Sequence, residues 1–162
     1  MSAAPPSQLT IRRAGPEDLT AAAALVAEAW TSTNAEYLPT ETMAALSADH
    51  SIAGLVASRS QELWLAECNA MVAAVLGIDA TGYIWACYVH PQHQRQGIGA
   101  ALLDRVKLYF KEKELPHLYL DLIDGNDGAQ AFYVAQGWIE ESRRPEPLPG
   151  HTATAIRLIC PL

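Results

Sequence analysis

The chain carries two hydrophobic rhythms, a period near two and a period near 3.6, and the places where one gives way to the other divide it into elements. Gln8 to Arg13 alternates apolar with polar residues as a half-buried strand does, with Leu9 and Ile11 on one face. Gly15-Pro16-Glu17-Asp18 then supplies a cap, a proline suited to a first helical turn, and two carboxylates near the positive end of a helix. Leu19, Ala23, Val26 and Trp30 follow on one helical face, and Pro39 to Arg59 reads as a second helical region with Met43, Leu46, Ile52, Leu55 and Val56 as its apolar positions. Glu62 to Cys68, Met71 to Ile78 and Tyr83 to His90 are strand-like runs separated by Asn69-Ala70 and by Asp79-Ala80-Thr81-Gly82, a pattern that predicts an antiparallel meander. By strand alternation Tyr83, Trp85, Cys87 and Val89 share one face. Helical spacing returns from Gly97 to Lys113 through Ile98, Leu102, Val106 and Tyr109, and Pro116 ends it. A strand from His117 to Ile123, a short helix from Asn126 to Gln136, and strands from Trp138 to Arg143 and Thr152 to Cys160 complete the chain, the last two joined by a proline-rich turn from Pro145 to Gly150. The pattern has no internal repeat and describes one mixed α/β layer structure spanning residues 8–162. Residues 1–7, rich in Ala, Pro and Ser, read as a disordered N-terminal tail.

A length of 162 residues suits one domain with a continuous core. No apolar run approaches the roughly 20 residues a membrane-spanning helix requires, and the start lacks the basic and apolar regions of a secretion signal, so a cytoplasmic protein is expected. Cys68, Cys87 and Cys160 are odd in number and widely spaced, which predicts reduced thiols rather than a disulfide or zinc framework. Eleven Lys and Arg against eighteen Asp and Glu give a net charge of −7, which disfavours nucleic acid and anionic membrane as partners and suits a cationic one. His90 and His93 stand three apart without a third ligand, and Asp124-Gly125-Asn126-Asp127-Gly128 departs from calcium-loop spacing, so no metal is expected.

The stretch from Val89 to Ala100 changes the picture most. A strand ends there in a glycine-containing turn that opens a helix, and backbone N–H groups over residues 95 to 100 are free to converge on an anion, reinforced by the helix dipole. Side chains at Gly97 and Gly99 would block close approach of a diphosphate, and Arg95 adds positive charge. A third glycine and the GK[ST] sequence are both missing, and the turn follows a meander rather than the first strand, so NAD and ATP fit less well.

Gln94-Arg95-Gln96-Gly97-Ile98-Gly99 resembles the Q/R-x-x-G-x-G/A diphosphate signature of the GNAT acetyltransferases, at the place after the fourth strand where that family carries it. Asn126, Ala129, Phe132-Tyr133 and Gly137-Trp138 are similar to its second pattern, N-x-x-A-x-x-[apolar]-Y-x-x-x-G-[aromatic]. The resemblance covers almost the whole chain. It implies an α/β fold of the α+β kind, with a central mixed, mostly antiparallel sheet of about seven strands, about four helices, and a splay between strands four and five. It implies acetyl-CoA as co-substrate, held by Gln94, Arg95, Gln96, Gly97, Ile98, Gly99, Ala100, Asn126, Phe132 and Tyr133, with the backbone of Cys87 and Val89 bonding the pantetheine arm.

The activity implied is transfer of an acetyl group to a primary amine, a small molecule or a protein N-terminus, by direct attack. Tyr133 matches the tyrosine that gives a proton to the departing thiolate in many relatives. For the general base, Asp121 stands where N-terminal-alanine acetyltransferases of ribosomal proteins have a glutamate, whereas Tyr83 occupies the place of the glutamate of histone-type relatives; Glu67 and His151 are further candidates. An equal reading of Asp121 is a carboxylate that orients groups at the splay. Trp30, Tyr37, Tyr83, Trp85 and His151 lie in the regions from which relatives build the acceptor pocket. An alternative is a catalytically silent acyl-CoA-binding regulatory module. Among relatives a homodimer through the terminal strands is common, and the resemblance allows one here.

Overall fold

The computed structural model describes residues 8–49 and 52–162, so the tail expected over residues 1–7 lies outside the described residues. Among the described residues, seven strands form two antiparallel sheets. The first has the order β1-β2-β3-β4, made of Leu9–Arg13, Leu63–Cys68, Met71–Ile78 and Ile84–Val89. The second has the order β5-β7-β6, made of His117–Ile123, His151–Pro161 and Ile139–Leu148. Five α-helices accompany them: α1 (Leu19–Asn34), α2 (Thr40–Asp49), α3 (Ile52–Ser58), α4 (Ile98–Glu112) and α5 (Asp127–Ala135). The second helical region of the sequence is described as α2 and α3, on either side of residues 50–51, which lie outside the described residues.

Helices cover both faces of the first sheet, which is why its central strands are apolar at every position but Glu67 rather than at alternate ones. Leu63, Leu65 and Val75 pack with Ala22, Leu25, Val26 and Val56 of α1 and α3. Trp64, Ala66 and Leu76 point the other way, against Ile98, Leu102, Val106 and Phe110 of α4. The second sheet joins this core through Leu118, Leu120, Ile156 and Leu158.

Two sequence expectations are corrected. Pro145 and Pro147 are not part of a turn; β6 runs on to Leu148, paired with β7 as far as Leu148 opposite His151. Because β6 is an outer strand, prolines two positions apart can leave their missing N–H on the open edge at no cost to the ladder. The second correction concerns β4. Ile78 pairs with Ile84 but Gly77 pairs with Ala86, so Trp85 is an extra residue, a β-bulge. The bulge breaks the expected alternation: Cys87 and Val89 pack toward α4, whereas Trp85 joins Tyr88 against the α1 side. Glu62 accepts the Trp85 indole N–H at 2.7 Å and Arg59 stacks 5.5 Å from its ring.

Room for the turned indole comes from Gly77, where a Cβ would lie 2.4 Å from the Trp85 ring. Gly77→Val is expected to destabilise the fold by about 1–3 kcal/mol through overpacking, read as a lower denaturant midpoint with an unchanged slope.

Candidate active site

Between the sheets, β4 and β5 run parallel and touch at one point. Tyr83 bridges to Tyr119, with the Tyr119 amide donating to the Gly82 carbonyl at 2.9 Å. Beyond that point no ladder joins them and the strands diverge toward their C-terminal ends, where α4 and α5 begin. Since the His90 amide donates to Ala73 of β3 at 2.8 Å, the alternation of an antiparallel ladder turns the amides of Cys87 and Val89 away from β3, into the gap. The Val89 carbonyl is on that side too, accepting the Gln94 side-chain amide at 3.1 Å.

A cavity of about 990 Å³ fills the gap and continues under α1. At one end lies the turn into α4. Arg95 and Gly97 both adopt left-handed backbone, with φ of 62° and 77°, around Gln96. For an arginine that conformation costs about 1 kcal/mol, a strain of the kind found at ligand-binding turns. The amides of Ile98, Gly99 and Ala100 open the helix and have no intrahelical partner. Their approach is kept clear by Gly99, where a Cβ would lie 3.2 Å from Val89 Cγ2 and 3.4 Å from Phe132 Cζ. Asn126 caps α5 by accepting the Ala129 amide, which is the physical reason for the three-residue spacing in the second motif.

Tyr133 projects from α5 into the wall of the cavity. It is 5% exposed, wedged edge-on between Phe132 and Trp138, and hydrogen-bonded to the Cys87 thiol across the gap. Burial drives its hydroxyl well above the usual tyrosine range, with the Cys87 thiol adding to the shift. The thiol is itself pushed up to about 11 by burial, against a lowering by the Tyr133 hydrogen bond. Both groups are therefore neutral and protonated at physiological pH.

Asp121, also on the cavity wall, is the opposite case. Its carboxylate accepts two bonds from Arg144, at 3.1 and 3.0 Å, and two from Arg157, at 3.0 and 2.9 Å. Burial alone would raise this carboxyl, but the arginine bonds outweigh it and hold it at about 2. Such a group is a poor proton acceptor at neutral pH, which favours the reading of Asp121 as a carboxylate that orients groups at the splay over its reading as a base. Glu67 is bound to Arg12 at 2.7 Å and does not line the cavity. Among the described residues that line it, Asp121 is the sole carboxylate and His93, beside the α4 turn, the sole imidazole.

Of the residues singled out in the sequence, the cavity brings together Trp30, Tyr37, Trp85, Cys87, Val89, Gln94, Arg95, Gly97, Ile98, Gly99, Ala100, Asp121, Asn126, Phe132 and Tyr133. Gln96, Tyr83 and His151, like Glu67, are not part of its lining. Gln96 turns its side chain back to the Gln92 carbonyl. Tyr83 stacks on Tyr119 at the closed end of the splay, and His151 begins β7 at the tip of the β6-β7 hairpin. Thr33, Asn34 and Tyr88 line the cavity and were missed. A helical-face count from Trp30 leads to Thr33 and Asn34; Tyr88 is reached only through the bulge. Tyr37 hydrogen-bonds Asn34 and, from the other side, Asn126, so the end of α1 is tied across the gap to the start of α5.

A sequence model of the Acetyltransferase (GNAT) family matches residues 21–138, which hold both the helix-opening turn and the Tyr133 motif. The chain belongs to the GNAT acetyltransferase family. Among curated proteins, the peptidyl-lysine N-acetyltransferase YiaC of Escherichia coli (strain K12) is 30% identical over 89 residues, a match that spans 51% of this chain and 58% of that protein. Among solved structures, a GCN5-related N-acetyltransferase from Rhodopseudomonas palustris has a TM-score of 0.78 at 19% identity, over 96% of this chain and 97% of that one. The PaiA N-acetyltransferase of Thermoplasma acidophilum, solved in complex with coenzyme A, has a TM-score of 0.72 at 18% identity, over 92% of this chain and 97% of its own. Likeness at these identities establishes the shared GNAT fold: a mixed α/β structure with seven strands, splayed between the fourth and fifth. Among the described residues no helix is long and apolar enough to cross a membrane, and no group of three His, Cys, Asp or Glu could hold a metal ion.

The Asp121 cluster makes a prediction about acid. A folded-state value near 2, against 3.8 unfolded, means that the carboxylate stabilises the fold above about pH 4 and loses that contribution as pH falls toward 2. Arg144 is 43% exposed, so screening reduces the contribution to roughly 1 kcal/mol. Asp121→Asn should be less stable than the parent at pH 7 and converge with it near pH 2, as followed by denaturant melts across the range.

Proposed function

We propose that the protein is an N-acetyltransferase that moves an acetyl group from acetyl-CoA to a primary amine, of a small molecule or a protein N-terminus, by direct attack in a ternary complex. The carrying observation is that three features meet in one gap: a left-handed turn opening a helix, the outward amides of Cys87 and Val89, and the buried Tyr133 hydroxyl on the facing wall. Support also comes from the relatives, one named a peptidyl-lysine N-acetyltransferase and one solved with coenzyme A.

The residues present fit this coenzyme. The amides of Ile98, Gly99 and Ala100 and the Arg95 guanidinium receive its diphosphate at the open end of the helix dipole, while Gly99 keeps the approach free. Cys87 and Val89 offer the pantetheine arm the hydrogen bonds of a missing neighbour strand, and the Val89 N–H is the donor for the acetyl oxygen. Bound acetyl-CoA supplies the acetyl group as an activated thioester.

Tyr133 holds the proton that the leaving sulfur needs. In water a phenol, with a pKa of about 10, is a weaker acid than a thiol at about 8.5, so this transfer would run uphill. In the pocket burial raises the Tyr133 hydroxyl as well as a neighbouring thiol, so the order of the two is kept. Burial that lifts the Cys87 thiol to about 11 makes any thiolate left beside it a stronger base than in solution. Tyr133 is thus a neutral donor held beside the sulfur in the same dry surroundings. With Asp121 engaged by two arginines, the amine loses its proton through water rather than to a dedicated carboxylate.

The test of binding is calorimetric titration with acetyl-CoA. The parent protein should bind it, and Gly99→Val, which fills the space between Val89 and Phe132, should weaken binding roughly ten-fold or more while the circular dichroism spectrum is kept. A folded parent with no affinity for acetyl-CoA would sink the reading. Tyr133→Phe tests the acid: at saturating acetyl-CoA, kcat should fall on the order of 10²-fold with coenzyme affinity nearly unchanged.

A further inference from the structure

The end of the cavity under α1, away from the α4 turn, has an unusual electrostatic character for a chain of net charge −7. We infer that the acceptor taken there is a monoamine carried on an aromatic or apolar body, and that a second cationic group on the acceptor is selected against. This rests on the transfer reading above.

The argument begins with what an ammonium needs. It carries three donors and no acceptor, and burying it without oxygen partners is costly. The one carboxylate on the cavity wall, Asp121, already accepts four charge-assisted bonds from Arg144 and Arg157, and with Glu146 3.7 Å from Arg144 the cluster of four groups is neutral, so it has no negative charge left for an ammonium. The amide oxygens at the same end are engaged as well. Asn34 accepts the Tyr37 hydroxyl, and Asn126 accepts the Ala129 amide.

What remains on the walls is largely aromatic. Trp30, Tyr37 and Trp85 line this end, and Arg59 already lies over the Trp85 ring. Aromatic faces suit an apolar body and tolerate one cation at about 0.5–2 kcal/mol. They do not replace a carboxylate. The reacting amine must in any case be neutral when it attacks, so a monoamine enters without leaving a charge stranded. A second amine would stay protonated and find no unpaired carboxylate on the lining. The overall negative charge raises the local concentration of cations at long range, but selection within the cavity runs the other way.

The experiment compares primary amines with the intact protein and acetyl-CoA, reading release of the coenzyme thiol. 2-Phenylethylamine should exceed 1,5-diaminopentane and spermidine in kcat/KM by roughly ten-fold or more. Arg144→Ala frees one side of the Asp121 carboxylate and should raise kcat/KM for 1,5-diaminopentane several-fold relative to 2-phenylethylamine, while coenzyme affinity stays at the parent value. Equal or better turnover of the diamine by the parent protein, or an unchanged ratio in Arg144→Ala, would overturn the inference while leaving acetyl transfer intact. Coenzyme binding with no turnover of any amine would instead overturn the transfer reading, and this inference with it.

Discussion

The structure depends on two parallel strands that are allowed to touch only once. Had β4 and β5 formed a full ladder, every amide of Cys87 and Val89 would be satisfied inside the protein, and the sheet would be continuous and closed. Joined only at Tyr83 and Tyr119, the strands leave a wedge whose walls expose main-chain donors. Buried main-chain groups without partners are costly, so the wedge demands either water or an extended ligand with matching acceptors. The constraint also fixes the rest of the site. The two helices that follow the splayed strands begin at its mouth, and their N-terminal dipoles face the same space.

Burial then acts in two opposite ways within one cavity. Around Tyr133 and Cys87 it is uncompensated: no charge lies in the pair, both groups are pushed toward their neutral forms, and both become weaker acids together. Around Asp121 burial is overruled by two guanidinium forks, and the carboxylate is locked in its charged form. The first environment suits a group that must keep a proton until a sulfur takes it. The second suits a brace. Asp121 on β5 holds Arg157 of β7 and Arg144 of β6, so one side chain pins all three strands of the second sheet beside the gap.

Much of this was legible in the sequence where the signal is local. The strand from His117 to Ile123 is found at its expected bounds, because period-two hydrophobicity between Pro116 and Gly125 leaves little choice. Likewise the turn before α4 carries its glycines in the chain itself. The bulge was not read, although Gly77 near the end of an apolar strand is its mark: a missing side chain there makes room for a ring eight residues away. Nor were the partners of Asp121, which lie 23 and 36 positions distant and meet it only through the register of β5, β7 and β6. Charge at a position is visible in a sequence; whether that charge is already spent is a property of the fold.

The two halves of the cavity differ in the same respect. The proposed coenzyme half is built by contiguous chain, from Val89 at the strand end through the left-handed Arg95 and Gly97 to the open amides of α4, and its chemistry travels with that segment. The proposed acceptor half is assembled from distant pieces. Tyr37 ties the end of α1 to Asn126 at the start of α5, and Thr42 of α2 donates to the Pro149 carbonyl at the tip of the β6-β7 hairpin, 107 residues on. A change in any of these pieces reshapes the acceptor wall without touching the diphosphate turn. Physical separation of the two halves therefore permits one fold to keep its donor while its acceptor varies, and it explains why the donor can be read from a dozen consecutive residues whereas the acceptor has to be argued from charge and contact.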